Sequence, residues 1–172
     1  MRALPWLNIQ KKIKKIGVTL VMFVLGRAFQ VASHLDSVVQ DEIAPWKDGH
    51  TIRMQVLPKG PAMCVEKKNN QIKYRGQKGP EPDLVISFKN IEAAFPVMMG
   101  MMGAETGLAQ SRMTVKGDIP LAMGLIRCIN RLEAFLFPKF IASRILKRVP
   151  AMGLKENLIR LRLYTTGILL GF

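Results

Sequence analysis

Groups for metal binding or covalent chemistry are scarce in this chain of 172 residues, which has two cysteines, Cys64 and Cys128, and two isolated histidines, His34 and His50. Their separation offers no ligand spacing for zinc or a related metal. No disulfide is supported either, since each cysteine falls within an apolar pattern and reads as a small buried hydrophobe. Gly100, Gly103 and Gly107 follow an apolar helical stretch instead of joining a strand to a helix, so they do not form a phosphate-cradling loop. No nucleophile, base and acid converge in the sequence. The reading is a protein that is not an enzyme and has no cofactor. Acidic residues are few as well, 12 against 26 lysines and arginines, for a net charge of +14. That imbalance points to an anionic partner, either nucleic acid or a phospholipid surface.

What is present is apolar: 49% of the residues are hydrophobic and 22% charged, and the length is that of one domain with a sizeable core. Positive charge concentrates after Asp118, where nine basic residues face two acidic ones. Those charges lie among Phe135, Phe137, Phe140, Leu146 and Leu158, a mixture that favours a lipid surface. A nucleic-acid reader would interleave its arginines with base-stacking aromatics, and only Arg144-Ile145-Leu146-Lys147-Arg148 comes near that. Nucleic acid is the weaker reading.

At the N-terminus, Trp6, Ile9, Ile13, Ile16 and Leu20 recur at helical spacing with Lys11, Lys12, Lys14 and Lys15 between them. This is a basic amphipathic helix, which either lies in a bilayer interface or packs on the protein itself. The ten-residue apolar run Ile16–Leu25 resembles a signal sequence, but Gly26-Arg27 interrupts it, no small-residue cleavage site follows, and ten residues are too few to span a membrane. From Val18 the pattern continues through Leu25, Val31 and Leu35 toward Ile43, predicting one long helix ended by Pro45. Lys11, Lys12, Lys14, Lys15, Arg144, Lys147 and Arg148 are the expected membrane-docking residues.

Period-two alternation predicts strands at 51–57, 62–67, 71–75, 82–88 and 108–116. The first three form an antiparallel meander, with Asn69-Asn70 supplying the positive φ angles of a tight hairpin. Asn90 is placed to cap a helix through Phe95, and Pro96 to open a further turn carrying Met98, Met99, Met101 and Met102. Asp118, with Pro120 just inside, caps a helix whose apolar stripe is Leu121, Leu125, Cys128, Leu132 and Phe135. A capping role for Asp118 outweighs acid catalysis. Glu133 is expected to form no ion pair with its neighbour Arg131. Beyond Pro138 a further helix is expected around Phe140–Val149, and the tail from Leu154 fits helix or strand, with helix preferred. The apolar end, Gly167–Phe172, is expected to cover the cavity, touch membrane or dimerise.

An apolar strand, a short methionine-rich helix, a basic strand and then Val115-Lys116-Gly117-Asp118 with Leu121-Ala122 and Leu125 form an ordered set that resembles the sterol carrier protein type two domain. The resemblance covers roughly residues 43–137. It implies an α+β fold, a five-stranded sheet with helices packed on one face enclosing a hydrophobic cavity, flanked by an N-terminal helical extension (1–42) and a basic, apolar C-terminal one (138–172) in one compact domain. It also implies a non-catalytic carrier of sterols, acyl lipids or isoprenoids. An isoprenoid quinone intermediate is a natural cargo, because stand-alone relatives include accessory factors of ubiquinone biosynthesis. Shared apolar stripes together with the resemblance assign Phe95, Met98, Met99, Met102, Met113, Leu121, Leu125 and Phe135 to the lipid cavity. Methionine suits such a wall because it is flexible and polarizable. The expected location is cytoplasmic and peripherally membrane-associated, with an anionic membrane and proteins of lipid metabolism as partners. The alternative is an accessory subunit of a lipid- or quinone-modifying complex, in which a partner supplies the chemistry.

Overall fold

A computed structural model describes residues 5–136 and the four tail residues Asn157, Leu158, Leu161 and Arg162, with residues 5–8 described by their backbone alone. The side chain of Trp6, the expected helix at 140–149, the apolar end at 167–172 and the docking residues Arg144, Lys147 and Arg148 lie outside the described residues. The four tail residues are helical. The helices α1 (Pro5–Leu35) and α2 (Ser37–Ile43) precede three strands, β1 (Thr51–Val56), β2 (Ala62–Lys68) and β3 (Gln71–Gly76). Strand β4 (Leu84–Phe88), helices α3 (Ile91–Met98) and α4 (Ala104–Ala109), strand β5 (Met113–Gly117) and helix α5 (Ile119–Leu136) follow.

The five strands make one sheet in the order β3-β2-β1-β4-β5, with β1 and β4 parallel and every other pair antiparallel. Alternation dictates its faces. In β1, Ile52, Met54 and Val56 are buried while Arg53 and Gln55 are half-exposed, and in β4 Leu84, Ile86 and Phe88 are buried. Asn69 and Asn70 both adopt positive φ, 54° and 57°, as the β2–β3 hairpin requires.

Strand β5 is shorter than the alternation at 108–116 predicts. Residues 104–109 are helical, and the chain reverses through Ser111 at φ 54° before pairing begins at Met113. The reason lies across the ladder: β4 ends at Phe88, where Asn90 opens α3, so only five residues are available, from Leu84↔Gly117 to Phe88↔Met113. Leu108–Arg112 has no strand to join. A second correction concerns the predicted long helix, which breaks at Asp36.

Asp36 breaks it by capping. Its Oδ1 accepts from the Val38 amide at 3.0 Å, starting α2 in a new direction. Its carboxylate is 2% exposed and also receives the Arg131 guanidinium of α5, Nε to Oδ2 at 2.7 Å, while that guanidinium lies 4.9 Å from the Phe135 ring. The other end of α2 is closed by Lys67, also buried, whose ammonium donates to the carbonyls of Ile43, Ala44 and Trp46 at 2.7, 2.9 and 2.6 Å. A cation there also suits the negative end of the helix dipole.

The edge strand β3 would leave amides unpaired, and α1 supplies their partners. Ile72 N donates to Ser33 Oγ at 3.0 Å and Tyr74 N to Gln30 Oε1 at 2.9 Å. Gly26 permits this approach, since a Cβ there would lie 2.4 Å from the Tyr74 ring. The edge is thereby closed to other strands.

Replacing Asp36 with Ala removes the α2 cap and takes its carboxylate from the nearly buried Arg131 guanidinium, changes that together cost about 3–5 kcal/mol. Chemical denaturation should show a lower midpoint with an unchanged slope.

Candidate functional site

Between the sheet and the helices lies a cavity of about 580 Å³, within the size range of ligand pockets. Its floor is Met54, Ile86, Phe88, Met113 and Val115 of the sheet. One wall is α1, through Leu20, Val21, Val24 and Leu25, and another is α3 and α4, through Val97, Met98 and Leu108. The last wall is α5.

Helix α5 contributes through a phase that the sequence reading missed. Its expected stripe, Leu121, Leu125, Cys128, Leu132 and Phe135, is buried in the protein core, each residue between 0% and 3% exposed. The cavity is lined instead by the residue after each of these: Ala122, Ile126, Ile129, Glu133 and Leu136. One residue is a rotation of about 100°, so two adjacent stripes share one helix, one facing the core and one facing the cavity. From Ala122 to Leu136 the lining runs about 20 Å at 1.5 Å per residue. Asp118 caps the start of the helix, its Oδ1 accepting from the Leu121 amide at 3.0 Å.

Of the residues expected to line the cavity, Met98 and Met113 do so. Leu121, Leu125 and Phe135 are core residues that do not line it, and Phe95, Met99 and Met102 are half-buried and also off its wall. Phe95 lies instead under the Lys14 ammonium, 5.7 Å from its ring centre, and Met99 reaches α1 beside Gly17. The one-residue shift was signalled in the sequence by Ala122, Ile126, Ile129 and Leu136, which recur at helical spacing just as the chosen stripe does.

Glu133 stands alone in character on that stripe. It is half-buried on the cavity wall, and among the described residues it has no hydrogen-bond or ion-pair partner. Burial pushes its carboxyl up to about 7. Glu105 is the other charged lining residue, exposed at the rim and engaged in an interaction of its own.

The N-terminal half of α1 presents an apolar stripe to solvent: Ile9, Ile13, Ile16 and Leu20 are 58–68% exposed. Two residues on from Ile16 and Leu20, a rotation of about 200°, Val18 and Met22 are buried, so the stripe faces away from the core. Leu20 belongs both to this stripe and to the cavity wall. The exposed Leu108 and Met123 also line the cavity, so its mouth is rimmed by apolar side chains. Lys11, Lys12 and Lys15 are exposed, whereas Lys14 is half-buried and paired with Glu92 of α3. The expected ten-residue limit on the apolar run also needs correction, because Ile9–Leu35 is one helix long and apolar enough to cross a membrane, although half of its most apolar window is buried in the fold.

Nothing else among the described residues forms a reactive cluster. No three His, Cys, Asp or Glu side chains are grouped to hold a metal ion. Cys64 and Cys128 are buried and unbridged, and burial raises both thiols, Cys128 to about 12. His34 is exposed on α1, its Nδ1 3.0 Å from the Gln30 carbonyl, and His50 is half-buried just before β1.

The model of the SCP-2 sterol transfer family matches residues 29–130. The match begins within α1, upstream of the limit at residue 43 that the motifs suggest. Among curated proteins none matches the chain. Similar solved structures include a UbiJ-SCP2 ubiquinone synthesis protein, 14% identical, covering 72% of this chain and 98% of that one with a TM-score of 0.44. Others are sterol carrier protein 2 like 2 of Aedes aegypti (11% identical, 56% and 94% covered, TM-score 0.34) and sterol carrier protein domain 2 of Helicoverpa armigera (16%, 70% and 94%, TM-score 0.35).

If the two α5 stripes divide core from guest, Ile126→Asp should fold yet lose lipid uptake by about tenfold or more, since a carboxylate must be desolvated against an apolar guest. Leu125→Asp, one residue earlier, should fail to fold. Circular dichroism with a fluorescent-lipid uptake assay separates the two outcomes.

Proposed function

The chain belongs to the SCP-2 sterol transfer family, whose model spans more than half of it, and from that premise we propose that it is a non-catalytic carrier or presenter of a long apolar lipid. The observation that carries this reading is the apolar cavity of about 580 Å³ opening beside an exposed apolar helix stripe, with Leu20 common to both. Burial of the guest is a sufficient driving force, as each methylene withdrawn from water contributes roughly 0.8 kcal/mol. Candidate cargoes are isoprenoid quinone intermediates, acyl lipids and sterol-like molecules.

Cargo of this kind has to be collected from a bilayer, and the N-terminal half of α1 is suited to that step. Ile9, Ile13, Ile16 and Leu20 would enter the interface, with Lys11, Lys12 and Lys15 beside them toward anionic head groups. Lys14 has a different part, joining α1 to α3 through Glu92. A guest leaving the membrane along the stripe meets Leu20 and then the cavity wall, without crossing a polar surface.

Vesicle sedimentation tests the docking step. Binding should favour anionic over neutral vesicles and weaken as salt rises. Changing Lys11, Lys12 and Lys15 together to Glu should weaken it about a hundredfold or more, at about 1 kcal/mol per basic side chain, with uptake of lipid from detergent unchanged. Equal binding to neutral and anionic vesicles would refute the docking surface. Tight, salt-sensitive binding to nucleic acid in place of vesicles would assign the positive charge to the other class of partner.

A further inference from the structure

We propose that Glu133 is the polar contact for the guest's head group, and that the cavity selects lipids with a neutral, hydrogen-bonding head, an alcohol, phenol or ketone, over lipids with an anionic one. This rests on the carrier reading and narrows it to a ligand class. The cavity wall is built by seven elements, and α1, β1, β4, α3 and β5 place no titratable side chain on it. Helix α4 places Glu105 at the rim, and α5 places Glu133 among Ile126, Ile129 and Leu136. Among the described residues no lysine, arginine or histidine reaches the wall. Among the described residues, an acyl carboxylate or phosphate head drawn into this space would therefore meet the carboxyl of Glu133 and no cation.

Keeping a carboxyl on an apolar wall is costly unless something hydrogen-bonds to it. A leucine in its place would complete the stripe that Ile126, Ile129 and Leu136 begin. Neutral Glu133 offers one O–H donor and a carbonyl acceptor, and its ionised form accepts only. An alcohol or phenol satisfies either form, by donating to the carboxylate or by exchanging hydrogen bonds with the acid, and a ketone satisfies the neutral form. The elevated ionisation point, about 7, sets the direction of the pH effect. Below it Glu133 is neutral and tolerates an anionic head; above it the two charges repel, so discrimination grows as pH rises.

Dodecan-1-ol and dodecanoate, equal in chain length, can be compared by displacement of an uncharged fluorescent apolar probe from the full-length protein. At pH 8 the alcohol should bind about tenfold or more tightly than the acid, the equivalent of one pH unit of charge interaction, and the gap should narrow at pH 6. Glu133→Gln, nearly isosteric, should keep alcohol binding, improve dodecanoate several-fold at pH 8 and abolish the pH dependence. Glu133→Leu should retain the probe but weaken the alcohol. If the probe enters but wild type prefers dodecanoate, or Glu133→Gln leaves both affinities and their pH dependence unchanged, the head-group assignment is wrong while the carrier reading stands. If the probe does not enter the wild-type protein at all, the carrier reading fails and the assignment fails with it.

Discussion

The carboxylate of Asp36 is the point on which this architecture turns. It ends the run of α1, starts α2 and holds α5 through Arg131, so three helices take their relative positions from one buried side chain. An ion pair this enclosed is not a large net source of stability, because desolvation offsets most of the attraction. Its value is directional. With Arg131 pinned on one side of α5, the stripe Leu121–Phe135 faces the core and the stripe one residue further round faces the cavity. Rotating α5 by about a third of a turn would merge the two roles and leave the cavity no separate wall.

The cavity is kept open by the way α1 is fastened. Its C-terminal half is held to the sheet edge by Ser33 and Gln30 and to α5 through Asp36. Its N-terminal half meets α3 through the Lys14–Glu92 pair and the contact of Met99 at Gly17. Helix α1 therefore bridges the space above Ile86, Phe88 and Met113 without filling it. Protein interiors are normally packed to crystal density, and an apolar space of this size beneath a firmly attached helix is what a protein built to take in a guest would keep.

Much of this was legible before the structure. Strict alternation located β1 to β4 to within a residue or two, because one buried face leaves a strand no freedom of register. Asn69-Asn70, Asn90 and Asp118 carried their turn and cap chemistry in the sequence, and each performs it. The misses share a cause: they depend on partners distant in sequence. Leu108–Arg112 alternates acceptably, but the length of β5 is set by where β4 stops. Asp36 inside an apolar helical pattern reads as one polar residue until Arg131, 95 positions away, is brought beside it. Both α5 stripes obey helical spacing, and periodicity alone cannot tell the one that meets core from the one that lines a cavity. Met99 and Met102 fell off the wall because α3 ends at Met98 and the chain turns at Gly100, where φ is 68°.

For the proposed carrier, docking along α1 and insertion of α1 into a bilayer differ in what would be left behind. The helix is long and apolar enough for a membrane span, and its apolar side chains would lose little in hydrocarbon, which is as apolar as the core. The cost of withdrawing it falls on the sheet. Ile72 and Tyr74 would lose their amide acceptors, Arg131 its carboxylate, and the surfaces now covered by Val18, Met22, Leu25 and Phe29 would face water at roughly 25 cal/mol per Å². Ser33, His34 and Gln30 would meanwhile enter hydrocarbon. The exposed isoleucines of the N-terminal half carry none of these penalties, since they face solvent already. A bilayer therefore gains most by taking up the stripe while the opposite face of the same helix stays on the protein, which favours docking along α1 over insertion of it.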